Sequence, residues 1–160
     1  MSRRIVVTLC LLLGAVVLQT LLPLFWGELT VGNPYLALLV VFALRSGKAG
    51  GVLWGAFLGC VSDAYFMPYI GFHGFSMAVA GYLLGWFGSK FLIRGILPVA
   101  LFAFGAQLLD TALVAGLHLL LGLPLASPLV IAGVLGALLS GGFAALFEPF
   151  ARRFYPQERP

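Results

Sequence analysis

The stretch Gly51-Val52-Leu53-Trp54-Gly55-Ala56-Phe57-Leu58-Gly59-Cys60-Val61-Ser62-Asp63 sets a glycine at every fourth position of an apolar run and closes the run on a carboxylate. A four-residue step keeps Gly51, Gly55, Gly59 and Asp63 along one slowly rotating stripe of an α-helix. Glycines so arranged let a second backbone approach closely, which is how helices pack in a bilayer, where no hydrophobic force drives them together. The same texture of long apolar runs and short polar breaks extends over the whole chain. Of its 160 residues 62% are hydrophobic and only 9% charged, whereas a soluble domain carries about 25% charged residues. The mean hydropathy of +1.11 agrees. A water-soluble fold is excluded, and the expected class is an all-α integral membrane protein.

Working outward from that stretch, six apolar segments are expected, at about 5–25, 29–44, 51–67, 75–88, 96–121 and 129–150, followed by a short tail over 151–160. Six spans of about 20 residues need about 120 residues, so this length holds one transmembrane domain and no separate soluble one. Ile5 to Phe25 is too long for a secretory h-region and is expected to remain as the first span. Tyr35 to Leu44 is only about 15 Å long as a helix. Span two must therefore borrow residues from Leu29 onward or break at Asn33-Pro34, and a re-entrant segment is its rival. Pro68 to Gly74 reads as a turn.

Charge gives the orientation. All nine Lys and Arg fall in alternate connections: Arg3 and Arg4; Arg45 and Lys48; Lys90 and Arg94; Arg152, Arg153 and Arg159. The positive-inside rule then places both termini in the cytoplasm. The net charge of +4 is thus read as topology rather than as a nucleic-acid footprint, and the basic segments are expected to meet acidic lipid headgroups or a cytoplasmic partner.

Carboxylates inside spans are costly enough to be functional candidates. Counted by helix rise from the basic ends, Asp63 lies about 18 Å deep and Asp110 and Gln19 each about 21 Å deep, all in the outer half. They either form one polar cluster or hold helices through hydrogen bonds to backbone and to neighbours such as Ser62 and Thr111. The stripe recurs as Gly74, Ala78, Gly81, Gly85 and Gly88, and as Gly133, Ala137, Gly141 and Ala145. These stripes serve either packing within the bundle or an interface with a partner, and their number leaves room for a homodimer. His73 and His118 are expected to reach water or an interfacial carbonyl. Glu148 and Arg152 suit an i,i+4 pair, and Trp26, Trp54, Trp86 and Tyr155 an aromatic belt. Cys10 and Cys60 sit in apolar runs and imply no disulfide. There is no nucleotide loop, zinc motif or nucleophile elbow, so no enzyme, metal or cofactor is expected.

The Gly51–Asp63 segment, followed by Pro68-Tyr69-Ile70-Gly71-Phe72-His73-Gly74 and by Gly81-Tyr82-Leu83-Leu84-Gly85, resembles the MreD family, the integral membrane subunit of the bacterial rod-shape machinery, or elongasome. The resemblance extends along the whole chain and includes the basic N-terminus and the Pro34-Tyr35-Leu36 start of span two, with Tyr69-Ile70 one residue longer than the usual pattern. It implies a non-enzymatic scaffold of the bacterial inner membrane that binds MreC. Through MreC it would connect MreB filaments to RodA and its partner class B penicillin-binding transpeptidase, and so to peptidoglycan synthesis and cell shape. The family is also similar in fold to the S components of ECF transporters, which supplies an alternative: a small-molecule-binding subunit with Gln19, Asp63, Asp110 and His118 around an outward cavity. For the scaffold, the residues expected at the partner interface or as structural polar groups are Gly51, Gly55, Gly59, Asp63, Gly81, Gly85, Gln19 and Asp110.

Overall fold

The computed structural model describes residues 2–26, 32–66, 71–91, 93, 95–123 and 129–154. Among these the regular structure is all helical: α1 (Ser2–Trp26), α2 (Pro34–Phe66), α3 (Phe72–Lys90), α4 (Ile96–Leu120) and α5 (Leu129–Phe154). Five helices stand where six segments are expected, because the second and third form one helical element. That element is broken only at Gly47, whose φ of 71° and ψ of −176° are non-helical. At this position a left-handed φ costs a glycine nothing and any other residue a clash.

The break reverses the chain. Phe42 and Trp54 stack with ring centroids 4.8 Å apart, although twelve residues of straight helix would separate them by about 18 Å. The arms 34–46 and 48–66 are therefore antiparallel neighbours, with the half-buried Trp54 packed on Phe42. By length and composition, helix over 34–64, 96–120 and 133–153 suffices to cross a bilayer; the first of these lengths is shared between the two arms.

Arm 34–46 is the hub. Every residue from Tyr35 to Leu44 is at most 2% exposed, as expected of a helix that is apolar all round. Its start is written locally: Asn33 Oδ1 accepts the backbone N–H groups of Tyr35 and Leu36 at 3.1 and 3.2 Å, an N-cap followed by proline at the first helical position. The helix thus begins at Pro34, with Gly32 and Asn33 outside it; the rest of the expected start, residues 29–31, lies outside the described residues. Arm 34–46 runs parallel to α5, because Asn33 meets Ser140 and Arg45 meets Glu148. Around it, α3 lies antiparallel to arm 48–66, and α4 antiparallel to both α3 and α5 through Ser76 with Asp110 and Ser140 with Gln107.

Two boundaries differ from expectation. α3 starts at Phe72 rather than Phe75, because Gly71 turns the chain with φ 113° and Asp63 caps the new helix. α5 continues through Pro149 to Phe154, taking the start of the expected tail with it, since Phe147 and Ala151 are buried in the core on either side of the proline. The rest of the tail falls outside the described residues.

Candidate functional site

The glycines of the deciding stretch form a seam within the chain. A Cβ at Gly51 would lie 2.8 Å from the carbonyl carbon of Gly81, one at Gly55 2.8 Å from Ala78 Cα, one at Gly59 2.6 Å from Gly74 Cα, and one at Gly85 3.0 Å from Lys48 Cα. Side-chain atoms do not come that close to backbone, so the seam admits glycine alone. All five predicted interface glycines, Gly51, Gly55, Gly59, Gly81 and Gly85, are buried there. Of the two uses left open by spacing, these glycines have the internal one, and they present no face to a second molecule. The α5 stripe is likewise turned inward, with Gly133 against Thr111 and Gly141 against the Ala100 carbonyl. The surplus of stripes that suggested a homodimer is taken up inside the bundle.

At one end of the seam Asp63, fully buried, accepts three backbone N–H groups: Gly71 at 2.8 Å and Gly74 at 3.0 Å on Oδ2, and His73 at 2.9 Å on Oδ1. A helix N-terminus leaves four such donors without intrahelical partners and carries partial positive charge. A carboxylate from a neighbouring helix meets both needs. One turn into α3, Ser76 donates its hydroxyl to Asp110 of α4, and His73 Nδ1 stands 3.1 Å from Asp110 Oδ2. Asp63 and Asp110 are thus brought to one junction, bridged by His73.

The neighbours named from sequence differ: the Thr111 hydroxyl donates to the Gln107 carbonyl of its own helix at 2.9 Å, and buried Ser62 makes no hydrogen bond among the described residues. His73 Nδ1 meets a carboxylate, whereas His118 Nδ1 lies 2.9 Å from the Val114 carbonyl. Gln19 is only 2% exposed, but its amide is not part of the junction and has no hydrogen-bond partner among the described residues.

A second junction lies at the other end. Arg45 donates from Nη2 to both oxygens of Glu148 at 2.8 and 2.7 Å and from Nη1 to the Val41 carbonyl at 2.6 Å. The two side chains are 5% and 2% exposed. Glu148 therefore pairs across the bundle with Arg45, 103 residues away in sequence, instead of with Arg152 one turn on. Local spacing favours the i,i+4 pair, but Arg152 points outward and a buried carboxylate needs a buried partner. Between the ends, the Asn33 N–H donates to Ser140 Oγ at 3.2 Å and the Ser140 hydroxyl to Gln107 Oε1 at 2.9 Å, joining arm 34–46, α5 and α4. In the sequence, Asn33-Pro34 stands out only as a candidate break in span two, and Ser140 and Gln107 carry no signal.

Among the described residues no group of three or more His, Cys, Asp or Glu could hold a metal. The described grooves are lined by apolar side chains, such as Leu84, Phe87, Leu101 and Phe102 between α3 and α4. None of them includes Gln19, Asp63, Asp110 or His118.

An all-helical membrane protein whose described carboxylates are each bound across helices is the class these features define. Within that class, the family model for rod shape-determining protein MreD matches residues 2–156, and the chain belongs to the MreD family. No curated relative and no solved structure matches it.

Proposed function

We propose that this chain is a non-enzymatic scaffold of the rod-shape machinery, crossing the bacterial cytoplasmic membrane six times with both termini in the cytoplasm. The fold-back at Gly47 supports the count by giving α2 two opposed arms, of which arm 34–46, about 20 Å long, is the short, buried pass. The alternating distribution of Lys and Arg supports the orientation. In this reading the protein binds MreC directly. It thereby helps couple MreB filaments to RodA and its class B transpeptidase, and to peptidoglycan synthesis. The observation that carries the reading, beside the family match, is what the three described carboxylates do. Asp63 caps α3, Asp110 ties α3 to α4, and Glu148 ties α5 to α2. Each holds one helix against another, which suits a body that presents a shaped surface rather than one that turns over a substrate. Because the glycine seam is internal, MreC is gripped elsewhere, and the seam acts by keeping that surface in shape.

The test is recovery of MreC with the tagged full-length protein from mild-detergent extracts of native membranes. The expected result is stoichiometric MreC with the parent chain. Recovery should fall together with cell-width control in Asp63→Asn, because α3 loses its cap. Absence of MreC from the parent chain's extract, or its replacement by a tightly held small molecule, would overturn the scaffold reading.

A further inference from the structure

We propose that the Arg45 end of the bundle carries a collar that binds anionic phospholipids, formed by Lys48, Lys90, Arg152 and Arg153. The fold gathers these four from three helices. Lys48 follows the reversal at Gly47, with its Cα against Gly85 of α3; Lys90 ends α3 five residues further on. Arg152 and Arg153 occupy the last turn of α5, just past the Glu148 that is clamped to Arg45. All four cations are exposed.

Among the described residues the one carboxylate at this end, Glu148, is bound by Arg45, and Asp63 and Asp110 lie at the opposite end. The collar therefore has a charge excess that nothing within the described bundle neutralises. It is also amphipathic. The Lys90 ammonium sits 5.1 Å over the Trp86 ring, and Phe91 and Phe150, beside the cations in sequence, are 57% and 58% exposed. An acidic protein or a nucleic acid would match the charge alone. A phospholipid supplies a phosphate for the cations and acyl chain for the rings.

The collar is independent of the scaffold reading, and its test uses no partner protein. The purified full-length chain is placed in mixed micelles of equal parts phosphatidylglycerol and phosphatidylcholine with matched acyl chains, and the lipids it retains are counted by native mass spectrometry. A basic residue at an anionic membrane surface favours binding by about fivefold, so phosphatidylglycerol should be retained at least about tenfold over phosphatidylcholine. The K48Q/K90Q/R152Q/R153Q variant should lose that preference while keeping the parent melting temperature, since all four side chains are exposed. Should it fail to fold, K48Q/K90Q and R152Q/R153Q separately are each expected to lower the preference. Equal retention of the two lipids, or a preference that survives in the variants, overturns the proposal. So does displacement of phosphatidylglycerol by inorganic phosphate at equal concentration, which would assign the collar to a soluble anion.

Discussion

Gly55 and Gly142 are the same residue in the same kind of apolar helical run, yet they live in opposite surroundings. A Cβ on Gly55 would meet the backbone of Met77 and Ala78, while one on Gly142 would meet nothing within 4 Å. Around Gly55 two helices touch backbone to backbone. Around Gly142, α5 faces outward into a shallow apolar groove of about 510 Å³ shared with α4. Spacing of small residues thus marks where a helix permits close approach, but not whether anything approaches. The difference also separates two modes of holding helices in a membrane: dispersion contact along a seam without side chains, and polar clamps at its ends.

The sharpest way to break the comparison is to fill both positions. Gly55→Leu is expected to give no folded protein in fluorescence-detected size-exclusion chromatography, and Gly55→Ala to cost at least the upper end of the about 1–3 kcal/mol of ordinary overpacking. A Gly55→Leu protein with the parent's melting temperature would mean that arm 48–66 and α3 are not in contact.

Removing one partner of the Arg45–Glu148 pair comes next. Glu148→Gln leaves a guanidinium buried without its counter-charge, a loss of about 3–5 kcal/mol, read as a lowered melting temperature. Replacing both residues by methionine should recover most of that loss. If the double variant is no more stable than Glu148→Gln, the clamp acts through something other than the uncompensated charge.

Asp63→Asn keeps the shape and removes the charge from three hydrogen bonds to backbone. About 1.5–3 kcal/mol is expected, the range for a hydrogen bond to a charged group. The loss should be accompanied by faster amide hydrogen exchange at Gly71, His73 and Gly74; unchanged protection there would remove Asp63 as the cap of α3. Smallest of all, Gly142→Leu should stay within about ±0.5 kcal/mol of the parent chain, and a large loss would show that the outward face of α5 is covered.

How much of this was legible follows from the range of each interaction. Asn33-Pro34 is readable as a break, because proline restricts its neighbours locally; that Asn33 caps the helix after it appears in the structure. The stripe Gly51, Gly55, Gly59, Asp63 is readable as a face, because helical periodicity is local. His73 drew little notice, since a lone histidine beside a turn has no spacing partner. Its carboxylate, Asp110, arrives from α4, 37 residues later. The sequence pairs Glu148 with Arg152 for the same reason: the i,i+4 neighbour is visible in it, and Arg45, 103 residues away, is not.

By itself the sequence determined the helical membrane class, from composition, and the alternation of polar breaks, from the Lys and Arg positions. It also located the residues that permit close packing, because each of these is a property of one segment and its solvent. Only the tertiary structure decided that arms 34–46 and 48–66 double back at Gly47, that the glycine stripe is an internal seam, and that each buried carboxylate takes its partner from another helix. Those outcomes depend on which segments become neighbours. In a chain where almost every face is apolar, neighbours are selected by shape and by a few buried polar pairs, neither of which is written in the periodicity of any one helix.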